Sequence, residues 1–315
     1  MAFRTTLQIS ELDELTQSWP GSAIHPVQTS PGPLDFVLDG VVSQGFSVLR
    51  MSLTPRLVDH VHIRPHSTGV VLVERPLVSM GVAIAAPALL INHSDREYHT
   101  VLEPDFRSVE FMLDIRKLSD HPLGLLLAEA RAAQHQTIIP LNPALAARIK
   151  ATTDRYVAAA ELDSTDSLRA CLVSERRFRI LDLLQSVVEQ HRGHLLNHSV
   201  APARGSLALT SLREMERMGI EQVKVKDVCH KLGVSRRAVE KSFADMLGIS
   251  PAQYLLACRL NNLRRSLLGS SQRVADGLAD TGFTDASRAA RQYRRLFGEL
   301  PSSTLRRAQQ RTAAA

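Results

Sequence analysis

The stretch LGVSRRAVEKSF, residues 232–243, carries the reading of the chain. Gly233 follows the apolar Leu232, where a left-handed helix end costs a glycine nothing. Ser235 stands where a hydroxyl can accept from an orphan amide at the start of a new helix. Val239 and Phe243 lie four apart on one face of that helix, which leaves Arg236, Arg237, Glu240 and Lys241 on the other. A basic surface helix and a helix shaped to lie against an acidic polymer share this pattern. The neighbouring sequence decides between them.

Upstream, Val225, Val228, Cys229 and Leu232 make the inner face of a short helix; downstream, Gly248 closes the basic helix and Ser250-Pro251 opens another with a cap and a first-turn proline. The same order recurs in RVADGLADTGFTDASRAARQYRRLFGELP, residues 273–301. There Val274 and Leu278 face inward, Gly282 makes the turn, Asp285 or Thr284 caps, and Phe297-Gly298 closes. Phe283, Tyr293 and Leu296 fall inside, with Ser287, Arg288, Arg291, Arg294 and Arg295 mostly outside. Helix, glycine turn, capped basic helix is helix-turn-helix grammar, in which the second helix enters the major groove of DNA. Between the copies, PAQYLLACRLNNLRRSLL (251–268) reads as a buried helix touching both units through Tyr254, Leu255, Cys258, Leu260 or Asn261, Leu263 and Leu267. Its 18 residues span roughly 27 Å, approaching the roughly 34 Å between successive major grooves on one face of B-DNA.

Charge follows the same division. Residues 205–315 hold 19 Lys and Arg against 10 Asp and Glu, a net of +9, and residues 1–204 carry a net of −3. A basic C-terminal third on a slightly acidic remainder suggests that one part alone meets a polyanion. The longest apolar run, VAIAAPALLI (82–91), has ten residues and a proline, short of the roughly 20 that a membrane helix needs. The N-terminus lacks the apolar stretch of a signal peptide, and Cys171, Cys229 and Cys258 are far apart and odd in number. A cytoplasmic protein is expected, with no membrane contact and each cysteine a small core residue.

The N-terminal part reads differently. GFSVLRMSL (45–53), TGVVLVER (68–75) and FRSVEFMLDI (106–115) read as strands; in the last, Val109, Phe111, Leu113 and Ile115 share one face, and Glu110, Met112 and Asp114 the other. Short strands without intervening helices predict an antiparallel sandwich or barrel. Three helical segments follow, 121–134, 142–162 and 166–191. In the last, Leu168, Cys171, Leu172, Phe178, Leu181, Leu184 and Val188 trace an apolar stripe, suited to packing on the sandwich or to a dimer seam. HRGHLLNHSVAPARGS (191–206) breaks the pattern and reads as a linker. The expected fold class is α+β: an N-terminal antiparallel β-barrel or sandwich with flanking helices (1–190), the linker 191–206, and an all-α domain of two helix-turn-helix units joined by a helix (207–315).

Residues 207–307 resemble the DNA-binding domain of the AraC/XylS family of transcription regulators. Gly233, Ser235, Phe243, Gly248, Ser250-Pro251, Tyr254 and Arg259-Leu260 carry the likeness, with Gly282-Phe283, Ser287, Arg291, Tyr293, Phe297-Gly298 and Pro301 in the second copy. The strand-rich half resembles, by general pattern, the cupin-like sensing domain of that family. The resemblance implies a dimeric regulator that binds double-stranded promoter DNA, contacts RNA polymerase, activates more often than it represses, and answers to a small-molecule effector. On the first reading helix Ser235, Arg236, Arg237, Glu240 and Lys241 are the DNA-contact candidates, arginine suiting guanine's paired acceptors and glutamate the cytosine amino group. On the second they are Ser287, Arg288 and Arg291, with Arg294 and Arg295 left to phosphates or solvent. The chain departs from the family at Gly277-Leu278, Ala286 and Ala289. These departures assign most base discrimination to the first copy.

Cupin enzymes bind metals through histidines and a carboxylate, and His60, His62, His66, Glu74, His93, Glu97 and His99 are the residues to weigh. His60 and His62 share a strand face, but Glu74 lies too far on and the glycines of a cupin metal box are missing. They are read as polar surface or satisfied core, and no metal, cofactor or catalytic residue is expected. A metal-dependent cupin enzyme fused to a DNA-binding module and an effector-independent regulator are the alternatives. Trp19 is read as part of an arm, a lid or simple packing.

Overall fold

A computed structural model describes residues 2–12, 14–15, 21–133, 136–161, 166–193, 206–269 and 273–314. Trp19 lies outside the described residues. The N-terminal part is an antiparallel sandwich. Its larger sheet has the order β1 (Ala2–Ile9), β3 (Phe36–Ser43), β4 (Phe46–Leu53), β11 (Phe106–Asp114), β6 (Ser67–Val73), β9 (Ala88–Asn92) and β12 (Gln136–Pro140). The smaller has the order β2 (Ser22–Gln28), β5 (Leu57–Ile63), β10 (Glu97–Leu102), β7 (Leu77–Ser79) and β8 (Val82–Ile84).

The larger sheet is covered on both faces. This explains why its strands read as continuous apolar runs rather than clean alternation. Val109, Phe111 and Leu113 of β11 share one face, as their spacing predicts, and pack under the helices α1 (Pro122–Ala133), α2 (Pro143–Glu161) and α3 (Asp166–Gln190). The other face does not meet solvent: Glu110 and Met112 look into a cavity between the sheets. Along α3 the expected stripe divides. Leu181, Leu184 and Val188 are buried, but Leu168 and Phe178 are 54% and 55% exposed and Cys171 lies on the surface. Cys229 and Cys258 are buried, as expected of small core residues.

The C-terminal part is helical: α4 (Ser206–Met218), α5 (Val225–Leu232), α6 (Arg236–Leu247), α7 (Pro251–Gly269), α8 (Val274–Asp280), α9 (Ala286–Phe297) and α10 (Pro301–Ala314). Helix α7 joins two cores. Tyr254, Leu255 and Cys258 pack with Val228, Val239 and Phe243 of the first unit, and Leu260, Leu263 and Leu267 pack with Leu278, Tyr293 and Leu296 of the second. The first of these cores continues into the sandwich, taking in Val58 and Val101 of the smaller sheet. The layers therefore run helices, larger sheet, cavity, smaller sheet, helix-turn-helix units.

Candidate nucleic-acid interface

The first unit is built as its sequence implies. Gly233 ends α5 at φ +65°, its amide bonded back to Cys229 and His230. Ser235 caps α6, its hydroxyl accepting from the Ala238 amide at 3.2 Å. Val239, Phe243, Met246 and Leu247 are buried, while Ser235, Arg236, Arg237 and Lys241 are exposed. Arg236 donates to Glu240 at 2.7 Å, so two of the base-edge candidates hold each other one turn apart in the free protein. Downstream, Ser250 and Gln253 form reciprocal side-chain-to-amide bonds at 2.9 and 3.2 Å, a capping box for α7.

In the second unit Gly282 sits at φ +75°, and a Cβ there would lie 2.0 Å from the carbonyl oxygen of Glu221. Only glycine satisfies both the dihedral and the approach. Of the two candidate caps, Asp285 is the one used, accepting from the Arg288 amide at 2.9 Å. Ser287, Arg288, Arg291, Arg294 and Arg295 are exposed, and Ala289 is fully buried. Leu278 is 7% exposed beside Gly277, filling the inner face of α8. Tyr293 is anchored by a 2.8 Å bond between its hydroxyl and that of Thr304.

Sequence reasoning missed how the sandwich grips both reading helices at their C-terminal ends. Arg56, between β4 and β5, donates from Nη2 to the Leu247 carbonyl at 2.5 Å. The Gly32 amide donates to the Leu296 carbonyl at 3.0 Å. Midway, the Asn261 side chain on α7 accepts from the Gln28 amide at 3.2 Å and donates to the Gln28 carbonyl at 3.0 Å, pairing with β2 as a neighbouring strand would. A helix end leaves carbonyls unsatisfied, so these bonds fill vacancies that water or a cap would otherwise take. The N-terminal ends of α6 and α9, with their arginines, remain in solvent. An asparagine on the otherwise apolar buried face of α7 was the signal available, since a buried amide requires partners.

A family model described as a helix-turn-helix domain matches residues 228–307, the stretch from α5 into α10. Among solved structures, a transcriptional regulator with an AraC-type DNA-binding domain from Chromobacterium violaceum is 28% identical, covering 33% of this chain and 93% of that one (TM-score 0.31). Residues 228–307 are a helix-turn-helix domain, and the C-terminal third of the chain is similar to AraC-type regulators. The relatives that share this stretch are named as regulatory proteins. A probable thc operon regulatory protein of Rhodococcus erythropolis is 28% identical over 127 residues, 39% of this chain and 38% of that one, so the match spans under half of that relative's length. The AraC-like transcriptional activator CuxR is 12% identical, with 82% of this chain and 93% of that one covered (TM-score 0.44).

His25, His60 and His99 pack against one another on the smaller sheet. His60 and His99 pair across β5 and β10, their rings stacked with centroids 4.3 Å apart, and His25 lies 6.1 Å from His60. They occupy the outer face of the smaller sheet, where Glu216 of α4 lies 3.8 Å from His60. Burial pushes His60 below its ordinary value, against the raising charge of Glu97, and pushes His99 down to about 3, so His99 is neutral at pH 7. Among the described residues, no group of three or more His, Cys, Asp or Glu is placed to hold a metal ion. On the opposite face of β5, Asp59 points into the cavity between the sheets. Desolvation pushes its carboxyl up to about 7, against lowering by the backbone of His25 and His60. Among the described residues, no helix is long and apolar enough to cross a membrane.

Proposed function

We propose that the chain is a cytoplasmic, sequence-specific transcriptional activator that reads promoter DNA with α6 and α9 and is controlled by a small molecule held in a cupin-like N-terminal domain. One observation carries this reading: both reading helices expose their basic N-terminal ends, while the sandwich holds both C-terminal ends. In this reading residues 1–190 sense and dimerise, 191–206 link, and 207–315 bind DNA. Ser235, Arg236, Arg237, Glu240 and Lys241 meet base edges and phosphates in one groove; Ser287, Arg288 and Arg291 do so in the next. The exposed Leu168 and Phe178 of α3 form the seam of a homodimer, and RNA polymerase is the further partner of the activator.

Control follows from geometry. Leu57 and Pro26 line the cavity, next to Arg56 and two residues from Gln28, which grip α6 and α7. A ligand that favours one spacing of β2 and β5 changes the separation of the reading helices, to the extent that it binds the two arrangements with different affinity. The test is fluorescence anisotropy on duplex DNA from upstream of the protein's own gene against a shuffled duplex, at two salt concentrations. Phosphate-driven binding falls steeply with salt, so a preference for the native duplex that survives higher salt, and is lost in Arg237→Ala, supports base reading. Equal binding to both duplexes by wild type at both salts contradicts it.

A further inference from the structure

Two buried polar atoms face the cavity between the sheets without a hydrogen-bond partner: Oδ1 of Asp59 on β5 and Oγ of Ser22 on β2. The rest of the wall is mainly apolar, with Leu57, Val61 and Leu90 among its residues, and Glu110 enters it from β11. An orphaned carboxylate oxygen in such a place is costly unless a donor satisfies it. The backbone of His25 and His60 hydrogen-bonds the carboxyl, but Oδ1 itself has no partner. The cavity measures about 60 Å³, against about 150 Å³ for a cavity that accepts benzene and about 10–15 Å³ needed to hold one water.

The geometry points to a ligand site for a small primary amine, with Asp59 receiving the ammonium, Ser22 completing its hydrogen bonds, and the apolar wall enclosing a short carbon body. This inference rests on the effector-sensing reading above and names the class of effector. The charge of the wall selects the sign of the ligand. Asp59 reaches the cavity with an open oxygen, so a carboxylate ligand would meet repulsion there and find no cation among the described lining residues. An alcohol of equal length would fill the space but leave most of the interaction with Asp59 unmade. A carboxyl held up to about 7 by burial is also poised to release its proton when a cation arrives beside it. Size sets the chain length, since a void between that of a water and that of benzene suits a body of a few carbons.

The test uses the full-length protein and three matched series: n-alkylamines from methylamine to hexylamine, the corresponding alcohols, and the corresponding carboxylic acids. Binding is read by isothermal titration calorimetry and thermal shift on wild type and Asp59→Asn. The expected result is binding confined to the amines, strongest for a short member, and weakened at least tenfold in Asp59→Asn. Alcohols or acids that bind as well as the amines, amines that bind Asp59→Asn undiminished, or no binding in any series would overturn the assignment. The wild-type series decides the ligand class even if the variant does not fold. Anisotropy with promoter DNA is run in parallel. Amine binding that leaves DNA affinity unchanged would remove the effector-control reading and leave the amine site standing; a different class that binds and changes DNA affinity would do the reverse.

Discussion

Glu11 and Arg264 meet through two hydrogen bonds, Nε to Oε2 at 2.7 Å and Nη2 to Oε1 at 2.9 Å, across 253 residues of chain. Arg264 also donates to Glu299 at 2.9 Å and lies 4.8 Å from the Phe297 ring centre, while Arg307 bridges Glu299 and Glu11. The four side chains close a ring between the turn after β1 and the helices α7 and α10. Glu11→Ala leaves two guanidinium groups sharing one carboxylate, and breaking a buried pair by removing one partner costs about 3–5 kcal/mol. Urea denaturation checks this; a loss under about 1 kcal/mol would rank the ring with exposed ion pairs.

The same ring has an acid signature. Burial would raise the Glu299 carboxyl, but hydrogen bonds from Arg307 and Thr304 and the charges of Arg264 and Arg307 hold it below the usual range. A depressed carboxyl contributes stability above its unfolded value and loses it as pH falls through the folded one. Wild type is therefore expected to lose stability below about pH 4.5 more steeply than Glu299→Gln, measured by denaturant midpoints across pH 3–6.

Asp59 works in the opposite sense. Its folded value, pushed up to about 7 by desolvation, exceeds the unfolded one, so the folded state binds the extra proton between them. Stability contributed by this group is present at low pH and declines as pH rises toward 7. Asp59→Asn is expected to raise Tm at pH 8 and to change it little at pH 4. Equal shifts at both would place the carboxyl in water.

For DNA reading, Arg237→Ala is expected to relax sequence preference more than Arg291→Ala, with a bidentate base contact worth about 1–3 kcal/mol of discrimination. Arg291→Ala should instead lower the salt dependence by about one counterion. Anisotropy on duplexes carrying single base changes separates the two, and the reverse ranking would move base reading to α9.

Gly282→Ala combines a left-handed φ with a clash against the Glu221 carbonyl. It is expected to destabilise by more than about 1 kcal/mol and to weaken DNA binding, both measurable on the purified variant. Gly298→Ala, with open space at its Cβ, keeps the φ penalty without the clash and serves as the control.

Much of this architecture was legible because local chemistry dictated it. Gly233, Ser235, Gly282 and Asp285 occupy positions that turn and cap geometry allow to few residues, and the helices they bound lie where spacing put them. The parity of Val109, Phe111 and Leu113 was legible for the same reason. The docking of the sandwich on α6, α7 and α9 was not. Arg56 meets a backbone carbonyl and Gln28 offers its own amide and carbonyl, groups every residue carries, so Asn261 alone marks the contact from the helical side. Asp59 was hidden too: in LVDHVHI the histidines drew the reading to one face, and the lone carboxylate of the other face shows its burial only when the second sheet is in place.

That alternation on β5 has an engineering consequence. Leu57, Asp59, Val61 and Ile63 line the cavity, and Val58 and His60 face the helix-turn-helix side. Under the proposed effector reading, Leu57 and Asp59 are thus the positions to diversify for a new ligand, while Val58 and His60 are the ones to leave alone. A library built that way varies the cavity wall while the contact with the helix-turn-helix units stays assembled. Inserting one residue into this strand would exchange the two roles at once.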